Sequence, residues 1–385
     1  MQAMAQSWLV WELTGSAFLL GLVGFCQAVP RLLLGAVGGV IVDRMDRRRL
    51  LLFTQTLAML QAFSFWFLVY FNLILFWHII LLVFFLGAVN SLNQIARQSL
   101  INILVPRQEL MNAVALNSAI INLSKIVGPS LAGVLISVIG VAGCLLVNGV
   151  SFLAIILSLL LMDLPPWQRE DKGEDLWLEM TEGYRYVRTN QRVFAALLMA
   201  YIVALVGSPY TRFLPVFASD ILHVGPTGFG LLMAAPGVGA VAAGLGLASL
   251  GRVRRRGHFL FVSVIAFSLF LILFSFSRSM ILSMICLALV GVSHIAFRAV
   301  ANTTIQLETP PHLLGRTLSL FFMDKGLWSF GTVFIGSLAS WVGAPRALAL
   351  SGLICALCAA GLLYRRALLR GGKRVGAPSK TTINS

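Results

Sequence analysis

Positive charge alternates along this chain, and that alternation constrains its fold more than any other feature. Twelve apolar segments, at about residues 1–12, 17–41, 50–71, 74–104, 110–138, 141–162, 193–219, 226–249, 258–276, 280–307, 313–341 and 346–364, are separated by short polar breaks. Of the 29 Lys and Arg residues, 21 fall in or beside the breaks and tails on one side of the alternation. Two, Arg278 and Arg346, fall on the other, and six lie within segments: Arg31, Arg97, Lys125, Arg212, Arg298 and Lys325. Such a split is the positive-inside bias of a multispanning membrane protein with both ends cytoplasmic. Only 11% of residues are charged and 58% are hydrophobic, against about 25% charged in soluble domains. The net charge of +15 does not call for nucleic acid, because the basic clusters adjoin apolar spans, where they meet anionic lipid headgroups.

The longest polar break, residues 163–192, divides the chain. It opens with Pro165 and Pro166, and its stretch around Trp177, Met180, Tyr184 and Tyr186 reads as an amphipathic helix lying on the membrane surface. The expected organisation is an N-terminal six-helix bundle (1–162), a cytoplasmic linker (163–192), a C-terminal six-helix bundle (193–364) and a basic, disordered tail (365–385). The halves repeat. At an offset of 204, Gly87 matches Gly291 and Pro106 matches Pro310; at 203, Gly128 matches Gly331, Gly133 matches Gly336 and Gly140 matches Gly343. The basic triplet Arg47, Arg48, Arg49 matches Arg254, Arg255, Arg256. Parallel six-helix repeats are one of the architectures of secondary transporters, with substrate bound between the halves near the midplane. By the same offset the first segment is too short for about 30 Å of hydrocarbon at ~1.5 Å per residue. Helix one is therefore expected to lack its start, through a misassigned start codon or a truncated gene.

After the second segment stand Gly39, Asp43, Arg44, Arg47 and Arg48. This spacing resembles the cytoplasmic loop signature of the major facilitator superfamily, with Asp46 where many members have Gly. The resemblance implies an all-α fold of two six-helix bundles, and implies that the cluster latches the cytoplasmic gate. Gly39 allows close helix approach, and Asp43 can accept from a neighbouring helix N-terminus. Gly128, Pro129 and Gly133 resemble the Gly-Pro helix signature of exporters in the same superfamily, although Val134 stands where the full form has a second Gly. The wider text, with Trp8, Trp11, Glu12 and Gly15, the loop at 43–49, and Asn112, Ala113 and Pro129, is similar to the secretion-effector branch, which includes siderophore and macrolide efflux proteins. That similarity implies efflux of a small amphiphilic molecule, driven by protons.

Thirteen of the 14 acids sit in loops or near segment ends; Asp324 alone lies deep. A charge in hydrocarbon normally faces a cavity or a partner. Arg298 on the preceding helix reaches matching depth, so the two can pair, while the adjacent Lys325 points about 100° away. The pair is either a proton-coupling device or a static brace of two helices, for a nearby cation favours the ionised acid and desolvation the neutral one. Arg31, Asn90, Lys125 and His294 are candidate cavity-lining residues, Asn90 and His294 being equivalent in the repeat. Arg97 reads as snorkelling to the membrane edge. The five cysteines lie in apolar segments and read as packing, including Cys355 and Cys358 in their C-x-x-C spacing. No nucleotide-binding loop, metal-ligand set or catalytic nucleophile stands out, so neither an enzyme nor a cofactor is expected.

The expectation is a monomeric secondary transporter in the inner (cytoplasmic) membrane, whose partners are a small-molecule substrate, protons and membrane lipids. An importer or lipid-handling protein of the same fold, or an inactive truncated remnant, is the alternative. The topology is directly testable. A single cysteine at Ser279 should react with an impermeant maleimide in intact cells, and one at Lys172 only after permeabilisation; the reverse pattern would overturn it.

Overall fold

A computed structural model describes residues 1–104, 109–162, 185–250 and 256–375. Among them every regular element is helical: α1 (Gln2–Thr14), α2 (Ala17–Arg44), α3 (Arg47–Tyr70), α4 (Phe76–Leu104), α5 (Leu110–Leu161), α6 (Gln191–Ile221), α7 (Gly225–Leu250), α8 (Arg256–Phe276), α9 (Met280–Glu308), α10 (Pro311–Phe322), α11 (Asp324–Val342) and α12 (Ala344–Val375). Among the described residues nine helices are long and apolar enough to cross a membrane, and Ala17–Pro30 is a shorter apolar one. Each of the twelve apolar segments falls on a helix. Most of the expected linker, with its surface helix, lies outside the described residues, as do 105–108, 251–255 and the last ten positions.

Local chemistry sets the helix ends. Ser16 caps α2 through the Leu19 N–H, and Asn190 caps α6 through Arg192 and Val193. Asp46 caps α3, accepting from the N–H groups of Arg48 at 2.8 Å and Arg49 at 3.2 Å. The departure from the family's glycine at Asp46 therefore has a local reason: its carboxylate satisfies two otherwise orphaned donors. The helix α5 reverses at Gly140 (φ 72°, ψ 177°), and both of its arms pass the start of α1. Gly128 faces the Met1 nitrogen, and Asn148 Nδ2 donates to Gln2 Oε1 at 3.1 Å. Its repeat mate Gly343 (φ 85°, ψ 151°) joins α11 to α12 in the same way. This backbone region is essentially open only to glycine.

Two spans expected to be plain helices are interrupted. In α6 the backbone passes through π turns at Val203–Gly207 and Phe217–Ile221 around a 3-10 turn at Ser208–Arg212. Pro209 and Pro215 lack the N–H that a regular helix would use there. The expected segment 313–341 breaks at Met323. The Leu320 carbonyl accepts from the Tyr201 hydroxyl at 2.7 Å and from the Met323 N–H at 3.2 Å, and a new helix begins at Asp324.

The halves meet along two antiparallel seams. On one, Gly21 and Gly24 of α2 take Thr332 and Gly336 of α11, and Thr332 Oγ1 donates to the Gly21 carbonyl at 3.0 Å. On the other, Pro129 and Gly133 of α5 lie against Pro226, Thr227 and Gly230 of α7. Gly133 and Gly336, equivalent in the repeat, thus do equivalent work: each lets a partner backbone into van der Waals range. Both seams lie toward the side opposite the basic loops, where Trp11 Nε1 also donates to Asp220 at 3.3 Å and Thr227 to Ser137 at 3.0 Å.

A side chain on Gly230 should wedge its seam. A Cβ there would stand 2.6 Å from the Pro129 carbonyl oxygen and 3.0 Å from the Gly133 Cα. Overpacking of this kind costs about 1–3 kcal/mol. Gly230→Val should therefore lower disulfide formation between cysteines placed at Ser137 and Thr227, in a background cleared of native cysteines. An unchanged yield would show that the seam is loose.

Candidate functional site

The expected ion pair forms. Arg298 on α9 donates through Nη1 to Asp324 Oδ2 at the first position of α11, and its guanidinium lies 5.2 Å over the Phe321 ring. Asp324 is 2% exposed and Arg298 27%. The break at Met323 puts the Asp324 carboxylate in the first turn of a helix, where the dipole favours negative charge. Its other oxygen, Oδ1, is buried and has no hydrogen-bond partner among the described residues. A brace built only for strength would satisfy both oxygens, because an unmet buried acceptor costs free energy.

Lys125 and His294 belong to the same region. Lys125 on α5 adjoins Gly237 of α7, and α7 in turn packs through Gly239 on Ala288 and Val292 of α9, the helix that carries His294 and Arg298. The His294 ring lies 5.8 Å from that of Phe267, and Asn90 is half-buried on α4. The side chains of Arg31 and Lys325 lie outside the described residues. Arg97 is exposed near the end of α4.

The loop signature is described in part. The backbone of Gly39, Asp43 and Arg44 belongs to α2, but their side chains lie outside the described residues. Arg48 donates from Nε to the Leu159 carbonyl at 2.9 Å and from Nη2 to that of Leu160 at 2.6 Å, tying α3 to the C-terminal end of α5. A cation suits a helix C-terminus. Arg47 is half-buried with its Nε unpartnered.

Sequence reasoning passed over a second polar group at the interface. Arg212, 8% exposed, sits at the interruption of α6. Its guanidinium reaches the other half, donating to Ser7 Oγ at 3.4 Å on α1 and to Gln27 Oε1 on α2, and it lies 5.2 Å over the Trp328 ring. The signal was present: an arginine in an apolar run, flanked by Pro209 and Pro215. Nearby, Gln2 Nε2 donates to Gln61 Oε1 at 2.6 Å, and Gln61 to the Leu82 carbonyl at 3.2 Å. This amide relay joins α1, α3, α4 and, through Asn148, α5. Its members have no charge to mark them in a sequence.

One buried and one half-buried arginine and one deep acid lie among the helices that join the two halves. Over 360 residues the chain is 26% identical to the staphyloferrin A transporter of Staphylococcus aureus, covering 93% of this chain and 90% of that protein. It is 22% identical over 356 residues to macrolide efflux protein A of Streptococcus pyogenes (89% and 87% covered). It is 26% identical over 355 residues to the enterobactin exporter of Citrobacter koseri (88% and 78% covered). Its fold is similar to that of a bacterial homologue of the human lysosomal transporter Spinster in an inward-facing, unoccupied conformation, with TM-score 0.74 at 15% identity, covering 96% of this chain and 95% of that one. It is equally similar to a nucleoside transporter, TM-score 0.74 at 12% identity, with 94% of each chain covered. The profile of the transmembrane secretion effector family matches residues 1–384, and the chain belongs to that family of major facilitator transporters.

Proposed function

We propose that this chain exports a small amphiphilic molecule from the cytoplasm by alternating access, in exchange for protons. The observation that carries the coupling is the Arg298–Asp324 pair, with one carboxylate oxygen bonded and the other left open. A proton on Asp324 would loosen the pair, and re-ionisation would restore it, so the protonation state and the packing of α9 against α11 change together. Kinship with siderophore and macrolide efflux proteins supports the direction and the substrate type. Closed seams opposite the basic loops correspond to a cavity open to the cytoplasm, with both chain ends and the linker on that side by the charge bias. Arg31, Asn90, Lys125 and His294 would line that cavity. Gly128, Pro129 and Gly133 would serve as the exporter helix motif, Pro129 and Gly133 by lying in the α5–α7 seam. Gly39, Asp43, Arg44, Arg47 and Arg48 would latch the cytoplasmic side when it closes; the Arg48 anchorage to α5 fits a fixed end for such a latch.

A static brace is the competing role for the pair, and double mutants separate the two. Expressed in an efflux-deficient host, the chain should raise the tolerated dose of an amphiphilic toxin of the siderophore or macrolide type. Asp324→Asn should abolish that protection while the protein still accumulates in the membrane. A brace predicts that either single change costs stability, about 3–5 kcal/mol for breaking a buried pair. It also predicts that Arg298→Gln with Asp324→Asn restores folding and protection together. Proton-driven efflux surviving in the double mutant would rule out the coupling role.

The gate latch has its own test. Asp43→Asn removes a helix-terminus charge worth about 0.3–1 kcal/mol when exposed and up to ~2 when partly buried. It should leave insertion intact and raise maleimide labelling of cysteines on the cytoplasmic side severalfold. Labelling and transport both at wild-type level would sink the latch.

A further inference from the structure

We propose that the Arg212 guanidinium is the binding group for an anionic oxygen of the substrate, a carboxylate or an equivalent oxyanion. We further propose that capture of this group by the substrate unties the two halves on the side where they are closed. The inference rests on the export reading for the direction of movement, but the site stands on geometry of its own.

Among the described residues Arg212 is a buried charge without a countercharge. Its partners are a hydroxyl, a side-chain amide oxygen and an indole ring, all neutral. Among the described residues no carboxylate pairs with it, since Asp324 is engaged by Arg298 and Glu308 by Arg192. A charge held inside a span by neutral groups alone is costly, and such residues mark substrate pathways by default. Guanidinium carries five donors in a planar fork that matches a carboxylate, and hydrogen bonds to a charged acceptor are roughly twice as strong as those to a neutral one. Here the fork spends donors on Ser7 and Gln27 where an oxyanion would bind better. One residue before Ser7, the buried Gln6 amide nitrogen has no partner among the described residues, an unused donor on α1 at nearly the same depth.

The position of the group gives it a mechanical role. Arg212 and Trp328 belong to the C-terminal half; Ser7 and Gln27 belong to the N-terminal half. The Arg212 hydrogen bonds are therefore a tie between halves, set beside the glycine seam of α2 and α11. Asp324 and Trp328 are four residues apart on α11 and share a face. The α11 residues that Arg298 and Arg212 touch are thus about one helical turn apart, roughly 6 Å along the helix axis, with the Arg212 contact farther from the basic loops. An anion entering from the basic-loop side meets Lys125 and Arg298 first and Arg212 beyond them. On reaching Arg212 it competes with Ser7 and Gln27, and what it wins, the seam loses. Binding energy for the anion is then differential between the closed and parted seams, which is what allows a ligand to shift the equilibrium. A neutral molecule of the same shape has no such leverage.

The test uses the full chain in lipid nanodiscs, with its native cysteines replaced and cysteines placed at Ser137 and Thr227 across the second seam. Benzoate is the probe, and benzamide its uncharged isostere. Benzoate should slow disulfide formation about fivefold or more, benzamide should not, and Arg212→Gln should remove the response. Because that variant risks misfolding, Gln27→Glu provides an independent reading. It gives Arg212 an internal carboxylate, so the seam should stay crosslinkable and become indifferent to benzoate. Equal effects of benzoate and benzamide, no effect of benzoate in the parent, or a benzoate response surviving Gln27→Glu would each overturn the proposal. Toxin protection in the efflux-deficient host is scored separately. Arg212-dependent gating without protection removes the export reading and leaves the anion site; protection without Arg212-dependent gating does the reverse.

Discussion

Hydrocarbon supplies no water to a broken backbone or a lone charge, so each such feature inside this protein must find its partner within the protein. The two interrupted spans, the buried Arg212 and the half-buried Arg298 of the C-terminal half answer that demand jointly. Where α6 loses helical bonds at Pro209 and Pro215, Arg212 leaves the helix wall and bonds across to α1 and α2. Where α10 gives way to α11, Tyr201 takes the Leu320 carbonyl and Asp324 starts a fresh helix under Arg298. The irregular backbone and the charge occupy the same places because each is tolerable only where packed protein or a polar cavity replaces lipid.

Around these points the helices are organised by duplication. Gly133 and Gly336 admit neighbouring backbones in equivalent ways, and Gly140 and Gly343 turn the chain with the same rare backbone angles. The halves differ in their polar content. The N-terminal half carries uncharged amides in relay through Gln2, Gln61 and Asn148, whereas the C-terminal half holds the ion pair and the unmatched guanidinium. A symmetric frame thus supports an asymmetric site.

How much of this was legible depended on the kind of signal. The all-helical membrane fold and the glycine equivalences could be read because apolar length and glycine spacing are properties of the chain alone. The Arg298–Asp324 pair could be read because depth follows from residue count along a helix. Arg212 escaped because its partners, Ser7, Gln27 and Trp328, come from three other helices, and nothing in their spacing reports that convergence. The break before Asp324 escaped too: Met323 is a sound helix former, and the Leu320 carbonyl there is bonded by a tyrosine on another helix. Asp46 was legible as a departure from the family pattern, but its role as a cap appears only with the N–H groups of Arg48 and Arg49 in view.

The single-residue joints at Gly140 and Gly343 have a mechanical corollary. With a single-residue joint between α5's two arms, and between α11 and α12, a seam helix that moves pulls directly on its outer neighbour. Parting the seams must then displace lipid as well as protein, since exposed apolar side chains such as Leu153, Leu157, Leu353 and Leu357 ride on the trailing arms. Acyl-chain packing and bilayer thickness therefore enter the work of the conformational cycle, and the same protein should cycle at different speeds in stiff and fluid membranes.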